Sequence, residues 1–145
     1  MRHQTAVRSL ALVLAAGFAG PPLAAGGAEG QQGSRVVEIR SYNLKTGTRD
    51  GFHRLFEQDA LPLLERFRVD VVAYGPSLHD ADSYFLMRSF ASVADRQRSE
   101  DAFYGSDAWK QGPREAILAC IESYTTIVIQ VDDATLRGLR HRPPR

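Results

Sequence analysis

The chain has 145 residues, with 18 Lys and Arg against 17 Asp and Glu and a formal charge of +1, so its length allows one domain around a single core. The near balance of charge excludes a nucleic-acid binder of the kind that relies on a basic face. The lone cysteine, Cys120, excludes an internal disulfide framework and reads as a packing residue.

The first residues carry Arg2, His3 and Arg8 without an acid, and Leu10 to Ala19 then run apolar through LALVLAAGFA. A basic start, an apolar stretch too short to span a bilayer, and small residues at Ala24, Ala25, Gly26 and Ala28 make residues 1–25 an export signal. Pro21 and Pro22 favour a cleavable end over a retained anchor, and no cysteine follows where a lipoprotein signal would place one. Cleavage removes Arg2 and Arg8 and leaves 16 basic against 17 acidic residues, a net charge of −1. The expectation is a periplasmic or secreted protein with no stable membrane span. Residues 26–34, rich in Gly and Gln, read as a flexible lead-in.

The folded domain is expected over 35–131. Val36 to Leu44 alternates, with Val37 and Ile39 on one side and Glu38, Arg40 and Tyr42 on the other, as a strand does. Lys45-Thr46-Gly47 makes a turn, and Thr48 is placed to cap a helix beginning at Arg49 or Asp50. In that helix Phe52, Leu55, Phe56, Ala60, Leu63, Leu64 and Phe67 trace one face. Pro62 lacks an amide hydrogen and predicts a kink or break around Ala60.

Val69 to Tyr74 and Tyr84 to Phe90 are a second and third strand, separated by Gly75-Pro76 and the turn His79 to Asp82. Ser92 and Asp95 form a capping box that opens a thinly apolar helix from Val93 to about Phe103. Gly105, Gly112 and Pro113 break the next stretch into short pieces around Trp109, and Ser123 to Val131 is the last strand. The order is βαββαβ, the ferredoxin-like α+β pattern with a four-stranded antiparallel sheet. Residues 132–145, where Arg137, Arg140, Arg142 and Arg145 gather among prolines, read as a basic disordered tail.

The segment Glu38-Ile39-Arg40-Ser41-Tyr42-Asn43-Leu44-Lys45-Thr46-Gly47 resembles the opening strand and turn of NIPSNAP proteins, which read E-L-R-x-Y-x-L-K-P-G. Phe52 and Phe56, then Tyr84 to Arg96 and the step from Asp107 to Trp109, match that family in the same order. Thr46 stands where the family has proline, and Gly51 fills a position more often charged. The resemblance spans about Val36 to Val131. It implies a dimeric α/β barrel in which two four-stranded sheets face each other with the helices outside, and hence a homodimer. It implies no defined reaction.

Arg40, Tyr42, Tyr84 and Arg88 share parity on neighbouring strands, with Tyr74 nearby. Guanidinium and phenol groups converging there would hold a small anionic or aromatic ligand, since guanidinium pairs with carboxylate and stacks on rings. The other reading is a polar layer between subunits, with Arg40 or Arg88 paired to Glu38 or Glu122. His53 lies on the flank of the helix stripe and would point into any cleft between the first helix and the sheet near Trp109. Asp50, His53 and Glu57 make at most a weak metal face, since one imidazole among three donors is a poor set. No metal or cofactor is expected. A cofactor-free monooxygenase-like enzyme of the same barrel superfamily is the alternative to a non-catalytic binder. Haem-degrading relatives combine Asn, Trp and His in one cavity; Asn43 and Trp109 exist here, but the second helix has no His.

Overall fold

The computed structural model describes residues 33–140; the expected export signal, most of the lead-in and the last five residues lie outside them. The strands are β1 (Ser34–Leu44), β2 (Asp70–Pro76), β3 (Ser83–Phe90) and β4 (Ile121–Asp132). They form one sheet in the order β2-β3-β1-β4, antiparallel at every pairing. This is the four-stranded antiparallel sheet of a ferredoxin-like fold. Its helices are α1 (Arg49–Leu55), α2 (Leu61–Arg66), α3 (Val93–Gly105), α4 (Asp107–Lys110), α5 (Arg114–Cys120) and α6 (Asp133–Leu139).

Between α1 and α2 the chain widens into a π-helical turn over Phe56–Ala60, where the Leu61 amide bonds to the Phe56 carbonyl. Pro62 explains the site: its missing amide leaves the Gln58 carbonyl without the usual partner, and a wider turn accommodates the ring. The turn keeps Phe52, Phe56, Ala60 and Leu64 buried on one core with Tyr42, Tyr84 and Leu86. Gly47 takes a positive φ of 78° in the turn after β1, the conformation glycine adopts without strain.

Thr48 does not cap α1 through its side chain. Its hydroxyl donates instead to the carbonyls of Lys45 and Cys120, at 2.7 and 3.2 Å, tying the turn to the end of α5. The Ser92 hydroxyl does accept from the Asp95 amide at 3.0 Å, while the Asp95 carboxylate accepts from Ala91 at 3.0 Å rather than from Ser92.

The reading of 132–145 as a disordered tail is corrected over Asp133–Leu139, which form α6. Asp132 caps that helix by accepting from the Thr135 amide at 2.6 Å. Leu136 is buried against Val37 and Val72, and Leu139 packs at the margin. Arg140 then grips Asp70 with two hydrogen bonds of 2.9 Å. The arginines dominate the composition here, but two leucines one turn apart suffice to seat seven residues.

Candidate functional site

Antiparallel register decides which side chains meet beneath the helices. On β1, Glu38 lies opposite Arg88 of β3, Arg40 opposite Leu86, and Tyr42 opposite Tyr84. The side chains Glu38, Arg40 and Tyr42 therefore share the helix-covered face with Arg88, and α3 supplies Arg96, Glu100 and Tyr104 from above. Arg88 donates to Glu38 and, at 2.6 Å, to Glu100. Arg96 contacts Glu38 and lies 2.8 Å from Glu100. Arg40 donates to Glu100 at 3.0 Å and stands 3.2 Å from Glu38. The Tyr104 hydroxyl accepts from Arg40 at 2.9 Å and from Arg88 at 3.2 Å.

Glu38 is 0% exposed and Arg88 1%. Burial by itself would raise the Glu38 carboxyl, but Arg88, Arg40 and Arg96 outweigh it and hold it down to about 2. Glu100 is shifted the other way, raised by burial and by the neighbouring Glu38 charge against the pull of Arg88. The cluster has three guanidiniums and two carboxylates, an excess of one positive charge. The Nε atoms of Arg40 and Arg88 are buried without a hydrogen-bond partner among the described residues.

Beside this cluster opens a cleft of about 620 Å³ between β1, β4 and the helices α3 to α5. Arg40 and Glu100 are the cluster members that line it. Its walls are aromatic, from Tyr42, Tyr104, Trp109 and Tyr124, with Ile117 and Leu118 at the far side. The Arg40 guanidinium lies 5.1 Å from the centre of the Tyr124 ring and 5.8 Å from that of Tyr104, within cation–π range. Burial, with the neighbouring Tyr104 phenol adding to it, pushes the Tyr42 phenol up to about 12, so it stays neutral. Arg114 and Asp101 stand at the rim, one charge of each sign. Beyond α3 the chain runs in short pieces, and between α4 and α5 Gly112 packs so closely that a Cβ there would come within 2.4 Å of the Ala108 carbonyl.

Of the residues singled out from sequence, Arg40, Tyr42 and Trp109 are thus brought together. Arg88 is sealed inside the ion cluster rather than at the cleft. His53, Tyr74 and Tyr84 form a separate row over β2 and β3. There His53 Nδ1 lies 2.7 Å from the Tyr84 hydroxyl, its Nε2 lies 3.6 Å from Glu57, and Tyr74 donates to Glu57 at 3.2 Å. Burial raises the Tyr84 phenol, and Tyr74 and Glu57 add to it. The space between this row and Trp109 is filled by Phe52 and Phe56 except for a void of about 30 Å³, so His53 does not reach the cleft. The expected polar layer with Glu38 is found within one chain, under α3; Glu122 takes no part in it. Among the described residues no three metal-ligating side chains converge.

The residues that the sequence reading missed are Arg96, Glu100, Tyr104 and Tyr124. The first three are spaced four apart on α3 and form the stripe that faces the sheet. The signal was the poverty of that helix in apolar residues: Phe103 is its one buried member, so something polar had to face inward.

No family model matches this sequence, and no curated protein matches it. Solved structures do. A NIPSNAP family protein from Agrobacterium tumefaciens superposes with a TM-score of 0.63 at 17% identity, over 68% of this chain and 87% of that one. The fold is the NIPSNAP fold. A NIPSNAP domain protein from Burkholderia xenovorans gives 0.60 at 13% identity, over 65% and 91%. A putative antibiotic biosynthesis monooxygenase from Bordetella bronchiseptica gives 0.53 at 22% identity, over 68% and 96%. This chain therefore shares its fold with a structure named for oxygenase chemistry as well, and the fold by itself does not assign a reaction.

Proposed function

We propose that this chain is an exported NIPSNAP family protein that works as a homodimer and binds one small, flat, singly charged anion, an aromatic carboxylate, in the cleft at Arg40. The observation that carries the reading is the charge count. Three guanidiniums and two carboxylates share a site secluded from water, where an uncompensated charge is costly. Arg40 is the one guanidinium of the three that borders the cleft, so a single anionic group placed there completes the balance. Glu100 and Asp101 on the same wall oppose a second negative charge. The rings of Tyr104, Trp109 and Tyr124 provide flat surface for an aromatic body.

Calorimetric titration with 2-naphthoate tests this, with neutral 2-naphthol as the comparison. The carboxylate should bind at least about tenfold more tightly, a difference of about 1.4 kcal/mol. Arg40→Ala should abolish that preference with little change in melting temperature, because Arg88 and Arg96 still serve both carboxylates and the cluster becomes neutral. Equal affinity for the two probes would exclude the anion site. A second reading, a cofactor-free monooxygenase, is favoured by the tyrosines and tryptophan in the cleft together with the fold shared with the Bordetella protein; it requires oxygen uptake when 2-naphthol is added in air. Export is checked by the mass of periplasmic material, which should start between Gly26 and Gly30.

A further inference from the structure

Among the described residues seven large apolar side chains are well exposed, and five of them sit together: Leu118 on α5, and Tyr124, Ile127, Val128 and Ile129 on β4. The arrangement is unusual for a strand in water. β4 is an edge strand, paired with β1 alone, so its outer row of amides and carbonyls has no neighbouring strand. Sheet edges that face solvent are ordinarily guarded by charge, proline or a bulge against pairing with other chains. From Tyr124 to Val131 the strand reads YTTIVIQV, with no charge, proline or glycine, and its one irregularity of register falls outside that stretch, at Asn43 and Leu44 of β1.

Both faces of β4 are involved. Ile127 is 56% exposed and Ile129 38% on the open face of the sheet, while Tyr124 at 56% and Val128 at 42% point to the helix side. The other end of the open face is already closed by Leu136 and Leu139 of α6, which confines the wet apolar surface to β4. The patch also runs into the cleft: Leu118 and Tyr124 belong to its wall.

An uncharged edge of this kind suits a second copy of the same chain. A two-fold contact pairs residue i with residue j and j with i, so near the axis a charge would meet its own copy, which an uncharged stretch avoids; antiparallel pairing of the strand with its copy also satisfies the free amides and carbonyls on both sides. We propose that a second copy seated on β4 completes the outer wall of the Arg40 cleft, so that ligand binding and self-association strengthen one another. This rests on the reading of the cleft as an anion site and of the chain as a dimer. The physical link is exclusion of water: covering Tyr124 and Leu118 lowers the local dielectric around Arg40 and strengthens its pairing with an anion.

The test combines sedimentation with calorimetry, using 2-naphthoate. With one cleft per chain, about tenfold tighter binding at each site of the dimer than in the monomer should, by reciprocity, let saturating probe tighten the dimer of the wild-type chain by the square of that factor, about a hundredfold. Ile127→Asp places a charge on an exposed side chain and disturbs no core contact; it should give a monomer with correspondingly weaker binding. Dilution of the wild-type chain below its own dimer constant should weaken binding equally, which keeps the test valid if the variant folds poorly. Arg40→Ala should lose the probe and remain dimeric. Equal affinity in monomer and dimer overturns the linkage and leaves the anion site standing. A wild-type dimer that ignores 2-naphthoate overturns both. A wild-type chain that is monomeric at every concentration assigns β4 to another partner and overturns the proposal.

Discussion

On the helix-covered face of the sheet sit Glu38, Arg40 and Arg88, and on the open face sit Ile39, Met87, Ile127 and Ile129. A sheet with one face in water ordinarily shows the opposite arrangement, apolar under the helices and polar outside. Here the helix side is divided. Over β2 and β3 it is a closed aromatic core, with Phe52 and Tyr84 rings 5.0 Å apart and Phe56 and Tyr74 rings 4.9 Å apart. Over β1 and β4 it is an ion cluster beside a cleft. The contrast is what motivates the proposed ligand on the charged side and the proposed second copy on the apolar side, because buried charge costs stability unless fully paired and exposed apolar area costs it unless covered.

The largest effect should come from removing the anion at the centre of the charged side. Glu38→Ala leaves Arg88 buried with only Glu100 to share among three guanidiniums, and such a loss costs about 3–5 kcal/mol. At roughly 4–8 °C per kcal/mol for a domain of this size, thermal melting should fall by well over ten degrees. A smaller drop would show that water reaches the cluster.

Acid should reach the same group next. The Glu38 carboxyl titrates at about 2 in the folded chain against an ordinary 4.5. Its contribution is thus complete above pH 4.5 and disappears as pH falls toward 2, a loss of about 3 kcal/mol. Glu100, whose carboxyl is raised, acts in the reverse sense: it favours the fold when protonated and gives up that share as pH rises through its folded value. The acid limb below 4.5 therefore belongs mainly to Glu38, and denaturant melts at pH 5 and pH 3 should differ by about 2 kcal/mol, the part of that loss reached by pH 3. In Glu38→Gln that difference should shrink.

On the apolar side, Leu136→Ala should cost about 2 kcal/mol, at the low end for a buried leucine because a seven-residue helix can resettle. Loss of α6 uncovers Val37 and Val72, so the variant should also self-associate more strongly in sedimentation. The smallest effect is expected in the closed aromatic row. His53→Ala removes the partner of the buried Tyr84 hydroxyl and should cost about 1 kcal/mol, with binding of 2-naphthoate unchanged, since His53 lies outside the cleft. Altered binding in that variant would join the two halves of the helix side that the packing of Phe52 and Phe56 keeps apart.

Much of this was legible before the tertiary structure. The strands, the interruption near Ala60, the pieces around Trp109 and the NIPSNAP resemblance all rest on local signals: alternation, a three-to-four residue stripe, proline and glycine. Parity on β1 and β3 put Arg40, Tyr42, Tyr84 and Arg88 on one face without further information. What parity could not give is distance along the strand. Tyr84 pairs with Tyr42 and lies under α1, while Arg88 pairs with Glu38 and lies under α3, so four residues of one face serve two different neighbourhoods.

Sequence alone thus determined the order of the four strands and the helical stretches between them, the face each strand residue takes and the apolar character of β4, because these follow from covalent geometry and the period of the chain. Only the tertiary structure decided that Arg96, Glu100 and Tyr104 close over Glu38, that His53 is walled off from Trp109 by two phenylalanines, and that a tail rich in arginine folds back through Leu136. Those outcomes depend on where helices settle on the sheet. That placement is set by packing among residues tens of positions apart, and no local pattern encodes it.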